Sequence, residues 1–476
     1  MTSLKKNIVY NFAYQLLILI LPLVTAPYLA RVVGAQGIGV YSYSYAIATY
    51  FVYFVMLGLN SYGNREIAAC QGDREELTRK FWSIYAMQAI CFVVAGSCYV
   101  VYSLFLADDK IVALLQGLYV LSALFDINWF FFGVEQFKLT VIRNTAIKIA
   151  TTILIFCFVK TANDVNVYIA IMSGGFLASQ LVIWLFLKRF IGFYAPKIKD
   201  VLPHFKPNAI LFFSVIAVSM YTILSKVLLG YMAGTAAVGF FENAAKLVAV
   251  PIALVSAIGT VMLPRASALI AQGDKGMASA HIDRTMRGVM LFTSLAAFGI
   301  PSVAFSFTYL FYGPGFDETA KALVILSATV PLLGFGNVLR TQHVIPNARD
   351  TVMLWSAVCG AVASIGLNIA LVPHFGVAGS AFAAVGAEIA VLTYQVARIQ
   401  REVPMRRYFK LAGSYLVAGG TMAVVLAFIP RFDDALIDVA FRVLFGCLVY
   451  ALCLFPVEKM LRRTRGHDMD SSFYRE

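Results

Sequence analysis

Arg265-Ala266-Ser267-Ala268-Leu269-Ile270-Ala271-Gln272-Gly273-Asp274 repeats, about 200 residues on, the pattern of Arg65-Glu66-Ile67-Ala68-Ala69-Cys70-Gln71-Gly72-Asp73. Working outward, Ala30-Arg31-Val32-Val33-Gly34 precedes Gly39-Val40-Tyr41 in the first half. In the second half Ser225-Lys226-Val227-Leu228-Leu229-Gly230 precedes Gly239-Phe240-Phe241. One such match could arise by chance. Three in order, at a nearly constant offset, mark a duplicated unit whose two copies fold alike.

What surrounds the repeats fixes their medium. The chain has 476 residues, 60% hydrophobic and 13% charged, with a mean hydropathy of +0.79. Soluble domains carry about 45–50% apolar and about 25% charged residues, so a soluble enzyme, a disordered chain and a secreted disulfide scaffold are all excluded. Apolar runs of membrane length lie at roughly 8–30, 41–62, 81–106, 111–133, 145–160, 165–187, 208–229, 237–263, 287–312, 319–340, 351–372, 376–397, 409–429 and 436–458, about fourteen in all. The run at 145–160 is the weakest, being short and opening with Lys148. A net charge of +13 does not point to nucleic acid, because the basic residues sit in short loops between apolar runs. They alternate from loop to loop. One set holds Lys5, Lys6, Arg65, Arg74, Arg79, Lys80, Lys138, Arg143, Lys188, Arg189, Lys197, Lys199, Lys206, Arg265, Lys275, Arg284, Arg340, Arg349, Arg398, Arg401, Arg406, Arg407 and the bases after Lys459. The other holds only Arg31, Lys110, Lys160 and Arg431. The positive-inside rule then places both termini in the cytoplasm with an even number of crossings.

The outer loops, such as 107–110 and 373–375, are too short for a catalytic domain, and no enzyme activity is expected. The seven cysteines lie in or beside apolar runs without CxxC or Cys/His spacing, so neither a metal site nor a cofactor is expected. Helices 1–6 correspond to 7–12, with 13 and 14 added. Since each copy has an even number of spans, the copies are related by an axis along the membrane normal. The expected fold is an all-α polytopic membrane protein. An N-lobe over 1–190 and a C-lobe over 191–400 form two pseudo-symmetric six-helix lobes in a V around a central cavity, followed by helices 13–14 over 401–460 and a tail over 461–476. Paired parallel bundles suit alternating access, hence a transporter.

Several stretches then become recognisable. Pro27-Tyr28-Leu29-Ala30-Arg31-Val32-Val33-Gly34, Leu57-Gly58-Leu59-Asn60-Ser61-Tyr62-Gly63-Asn64-Arg65-Glu66-Ile67-Ala68 and Asp126-Ile127-Asn128-Trp129-Phe130-Phe131-Phe132-Gly133-Val134-Glu135-Gln136-Phe137-Lys138 resemble signatures of bacterial polysaccharide flippases. These are the O-antigen and capsule repeat-unit transporters of the multidrug/oligosaccharidyl-lipid/polysaccharide exporter superfamily. The resemblance implies a bacterial plasma-membrane protein moving undecaprenyl-pyrophosphate-linked oligosaccharides from the inner to the outer leaflet. It further implies a monomer working beside glycan polymerase and chain-length machinery. A narrower resemblance to the lipid II flippases rests on Ala30, Arg31, Val32, Val33, Gly34 and Ala35, and on Lys246, Leu247, Pro251, Leu263 and Pro264. It implies that Arg31 and Lys246 face the cavity and hold the pyrophosphate, with Lys246 replacing an Arg and so losing its bidentate geometry.

The physical task is to carry a polar, anionic head across about 30 Å of hydrocarbon while its tail stays in lipid. Ionisable side chains inside spans are the candidates, since each costs roughly 2.5–3.5 kcal/mol at mid-helix. Arg31, Lys246 and Lys226 are the expected cavity cations, and Glu242 stands one turn before Lys246 on the same face. An internal salt bridge is the competing account of Lys246, and snorkelling that of Lys226. Glu242, Asp126 and Glu388 are the candidates for ion coupling, with structural pairing as the alternative. Tyr41, Asn60 and Asn243 are candidate sugar contacts, against an aromatic belt and helix-to-helix hydrogen bonds. Gly34, Gly37 and Gly39 read as an interhelical turn. The competing functions are an organic-cation antiporter of the same superfamily, which would favour acidic cavity groups, and a glycan polymerase or ligase, which the short outer loops oppose.

Overall fold

The computed structural model describes residues 20–472, all helix and connection. Lys5, Lys6 and the start of the first expected span lie outside the described residues. Twelve described helices are long and apolar enough to cross a membrane, and Ile20–Val32 is a shorter apolar one. The 50-residue helix Asp350–Ile399 contains two passes, joined where Gly376 leaves helical geometry at φ +52°. Counted so, the described residues hold fourteen segments, as the hydropathy predicts.

The first compact unit ends at Gly239. It holds α1 (Ile20–Val32), α2 (Gly34–Met56), α3 (Leu59–Ala69), α4 (Arg74–Val101), α5 (Lys110–Leu124) and α6 (Asn128–Gly133). It continues with α7 (Phe137–Phe158), α8 (Val165–Leu187), the short α9 (Ile198–Val201), α10 (Phe205–Thr222) and α11 (Leu224–Ala233). Within it α5 packs on α8 and α2, and α3 on α6. The second unit starts at Phe240, inside α12 (Thr235–Ala271). It contains α13 (Lys275–Tyr312), α14 (Asp317–Leu326), α15 (Thr329–Leu339), α16 (Asp350–Ile399), α17 (Met405–Ala427) and α18 (Ala435–Ser472). Here α13 is central, packed against α14, α15, α17 and α18. The compact units divide about fifty residues after the boundary at 190 drawn from the sequence repeat. The reason is that α9 packs on α4, α10 on α3, and α11 on α2.

The duplicated Gln-Gly-Asp now has a physical cause. Gly72 (φ +102°) and Gly273 (φ +74°) both take the left-handed conformation that stops a helix. The aspartate that follows then caps the next one. Asp73 Oδ1 accepts from the Glu75 and Glu76 amides at 2.9 and 3.1 Å, and Asp274 Oδ1 from the Met277 amide at 2.9 Å. Each motif is a helix stop followed by a helix start, at the same place in each copy.

Several expected segments differ in detail. The run at 145–160 becomes α7, which starts at Phe137 because Lys138 and Arg143 are absorbed into the helix instead of marking a loop. The run at 41–62 is broken at Leu57 (φ +46°), that at 111–133 between α5 and α6, and that at 319–340 between α14 and α15. The last two breaks are again about 200 residues apart. Residues 373–375 run up to the Gly376 kink that joins the two passes of α16, and α18 runs through the expected tail to Ser472.

Candidate functional site

The broken span α5–α6 is where the most specific motif residues gather. Breaking a helix inside a membrane orphans backbone carbonyls that hydrocarbon cannot satisfy. Gln88, buried on α4, supplies the missing donor. Its Nε2 donates to the Ala123 carbonyl at 2.6 Å and the Asp126 carbonyl at 3.0 Å, while its Oε1 accepts from Trp129 Nε1 at 3.2 Å. Asp126 Oδ1 accepts from the Asn128 amide at 3.0 Å and its Nδ2 at 2.7 Å, capping α6 from the break. Asn128 also reaches Gln180 at 3.2 Å and accepts from Arg143 at 2.8 Å. Arg143, assigned to a loop by its charge, is thus buried on α7 and serves this network. Two glycines let the motifs meet. A Cβ on Gly63 would strike the Trp129 ring, and one on Gly133 would strike Ile67 and the Asn64 carbonyl. Asp126, a candidate ion-coupling acid, sits at this break with its carboxylate taken up by Asn128.

The second gathering lies where the α1–α2 turn meets the α11–α12 turn, both in loops of the poorly charged set. Gly34 makes the first turn (φ +68°) and Gly234 the second (φ +84°). Gly37 and Gly39 are not turn residues, as their spacing suggests, but buried positions of α2. A Cβ on Gly39 would collide with the Thr235 carbonyl, and one on Gly239 with the Ala35 carbonyl. Residue 35 stands to 235 as 39 does to 239, so the contact is reciprocal. Gln36 Nε2 adds a hydrogen bond to Thr235 Oγ1 at 2.9 Å. Nearby a Cβ on Gly230 would enter the Tyr43 ring. Small residues that let two backbones touch are how helices associate in lipid, where apolar burial gives no drive.

The expected site residues distribute as follows. Arg31 is exposed at the end of α1, one turn before this crossing, and Lys226 is half-buried on α11. Both belong to the first unit. In the second unit Lys246 lies 4.0 Å from Glu242 across one turn of α12, with a quarter of the lysine side chain exposed. Between them Asn243 is fully buried, and neither side-chain amide atom has a hydrogen-bond partner among the described residues. Its carbonyl accepts from Tyr312 Oη at 2.9 Å. Glu388 is half-buried on α16. Tyr41 lies in an aromatic lattice with Tyr45 at 5.6 Å and Tyr168 at 4.8 Å. Asn60 is exposed at the start of α3.

Arg442, inside a span, has a structural task. It is 5% exposed and pairs with Asp438 at 2.9 Å, while donating to the Leu426 and Ile429 carbonyls at 3.0 Å each. It therefore closes the end of α17 with positive charge. Asp438 also accepts from Ser306 at 2.6 Å and from the Phe432 amide at 3.1 Å. The signal that sequence reading missed is Gln88, whose isolated amide in an apolar run is intelligible only once the α5–α6 break is seen.

Comparison with known proteins places this geometry. Two relatives named "Putative O-antigen transporter" align with the chain. That of Escherichia coli (strain K12) is 23% identical over 71% of this chain and 83% of its own. That of Shigella dysenteriae is 21% identical over 83% of this chain and 100% of its own. Among solved structures, the lipid II flippase MurJ in an inward closed conformation superposes with a TM-score of 0.77 at 16% identity, covering 96% of this chain and 99% of that one. An inward-facing multidrug resistance MATE transporter of the MOP superfamily superposes with a TM-score of 0.54 at 16% identity, over 79% and 94%. Residues 4–270, more than half of the sequence, match the family described as polysaccharide biosynthesis protein. With its repeated helices, broken spans and MurJ-like fold, the chain is a multi-pass membrane protein belonging to the polysaccharide biosynthesis protein family.

Proposed function

We propose that the protein is a flippase that carries undecaprenyl-pyrophosphate-linked oligosaccharide repeat units from the inner to the outer leaflet of a bacterial plasma membrane, for surface polysaccharide assembly. It works without covalent chemistry, by alternating access of its two halves, with both termini in the cytoplasm. The single observation that carries the reading is the Glu242–Asn243–Lys246 turn of α12: a cation retained inside a span, a carboxylate 4.0 Å away, and a buried amide between them with no partner among the described residues. Such a turn is costly in lipid unless it serves a polar ligand. Family membership and the O-antigen transporter relatives support a lipid-linked glycan as that ligand.

In this mechanism Lys246 and Arg31 neutralise the pyrophosphate, so its charge need not enter hydrocarbon bare. Lys226 is a further cation on the route. Asn60, Asn243 and Tyr41 offer an amide, an amide and a ring face to sugars as the halves rearrange. Glu242 returns Lys246 to a paired state once the head has left, and Glu388 is the acid through which an ion gradient drives the cycle. The protein works as a monomer that delivers its product to polymerase and chain-length machinery. The test is leaflet translocation of a labelled undecaprenyl-pyrophosphate-linked sugar by the full chain in proteoliposomes, with and without a pH gradient. Lys246→Ala should abolish it at unchanged protein level. Undiminished translocation by Lys246→Glu would remove the turn from the mechanism.

A further inference from the structure

We propose that the pocket between the start of α4 and the connector joining α8 to α10 is a seat for the phosphate head of an anionic phospholipid, in the leaflet on the side of the basic loops. The inference concerns a resident lipid and does not rest on the identity of the cargo.

The connector is a built wall. The Gly192 amide donates to Thr78 Oγ1 at 3.2 Å, and Trp82 Nε1 donates to the Gly192 carbonyl at 2.9 Å. Asp200 pairs with Arg79 at 2.6 Å and accepts from Tyr194 Oη at 2.8 Å. His204 Nδ1 meets Tyr62 Oη at 2.7 Å. Between this wall and α4 lies a cavity of about 300 Å³, lined by Arg79, Lys80, Lys199, Ser83 and His204 together with the carboxylates of Glu76 and Asp200. Arg79 and Lys80 are already engaged, by Asp200 and by Glu66 at 3.1 Å. The Ser83 hydroxyl donates to the Arg79 carbonyl at 2.8 Å; Lys199 is exposed and has no partner among the described residues, so it is the cation the pocket has to offer an anion.

Its depth identifies the anion. Trp82, Tyr85 and Trp184 cluster beside it, with Tyr85 to Trp184 at 5.0 Å and Trp82 to Phe193 at 5.2 Å. Such rings mark the level of lipid headgroups. The connector also presents Phe193, Ile198 and Leu202 outward, at 82%, 60% and 58% exposure. Those apolar side chains alternate with Lys188, Arg189, Lys197 and Lys199, the composition of a segment lying in the interface of an anionic leaflet. At the lower end of small-molecule site volumes, the cavity holds one headgroup but no oligosaccharide.

The test is native mass spectrometry of the full chain in detergent, titrated with phosphatidylglycerol and, separately, phosphatidylcholine. The wild type should retain phosphatidylglycerol several-fold better. Lys199→Glu should lower that preference about fivefold or more, since one basic residue at an anionic surface is worth roughly that factor. Lys197→Glu, the same charge change on the same connector outside the pocket, should leave most of it. Unaltered melting temperatures show that both variants are folded. Equal loss in the two variants would mean diffuse surface charge and overturn the seat. So would equal retention of the two lipids, or displacement of phosphatidylglycerol by equimolar undecaprenyl pyrophosphate.

Discussion

Replacing Gly39 by alanine puts a methyl group where the Thr235 carbonyl stands, and replacing Gly239 puts one where the Ala35 carbonyl stands. Neither obstacle is a side chain that can swing aside; both are backbone on a facing helix. Relief therefore requires the α2 and α12 starts to separate, which also stretches the 2.9 Å Gln36–Thr235 hydrogen bond. Overpacking of this kind costs about 1–3 kcal/mol, and losing the hydrogen bond adds about 0.5–1.5 kcal/mol. Each single variant should therefore be destabilised by about 2–4 kcal/mol, read as a fall in denaturation midpoint in detergent. Because either methyl alone opens the same crossing, the double variant should cost little more than one single. That non-additivity is the signature of a shared contact. Gly34→Ala is the control: nothing lies within 4 Å of its added Cβ, but its φ of +68° makes it a pure backbone penalty. Neutral Gly39→Ala and Gly239→Ala proteins, or strictly additive losses, would refute the reciprocal crossing.

The remaining expectations concern single polar groups. Gln88→Leu leaves the Ala123 and Asp126 carbonyls and the Trp129 N–H without their partner, so a loss of about 1–3 kcal/mol per stranded group is expected. Thermal melting of the purified protein checks it, with Gln88→Glu intermediate because it keeps an acceptor for Trp129. Arg442→Met strands the Asp438 carboxylate and should cost about 3–5 kcal/mol, whereas Arg442→Met with Asp438→Leu should recover much of that; expression level and melting temperature report both. Lys226→Ala should slow translocation in proteoliposomes less than Lys246→Ala does. Cys70 should resist maleimide in the folded protein and react on denaturation, because it is buried and burial, reinforced by Glu76, raises its thiol above the ordinary range.

Much of the fold was legible because the membrane imposes its own grammar. Apolar length gives the spans, and the Gln-Gly-Asp repeat gives the matched helix stops and starts. What stayed hidden was everything that happens inside a span. A helix break such as that at Phe125–Ile127 does not interrupt hydrophobicity, since the residues around it remain Phe, Ile and Trp. Its one sequence trace is a polar group elsewhere, Gln88, 35 positions before the Ala123 carbonyl it satisfies. Charge misled at Arg143 for the same reason. A basic residue near a span end reads as loop, yet this one is spent on Asn128 and Asn144 inside the bundle. The glycines at 37 and 39 read as a turn because close helix contact and tight turns both call for the same residue.

The motifs that identify the family are therefore of two kinds, and the structure separates them. Residues 57–68 and 126–138 pack against each other, through Gly63 on Trp129 and Gly133 on Ile67. Gln88 and Arg143 close the network around them. Apart from the exposed Asn60, that assembly is occupied in holding a broken helix together. It should be retained by relatives whatever glycan they handle. Selectivity then has to come from positions the fold does not consume. In the second unit the first of these is the Asn243 amide, whose two polar atoms have no protein partner among the described residues. Exchanging residues 61–68 and 126–138 together with those of a relative should leave the transported glycan unchanged. Exchanging residues 240–247 should alter it, measured as translocation of two labelled lipid-linked sugars in competition.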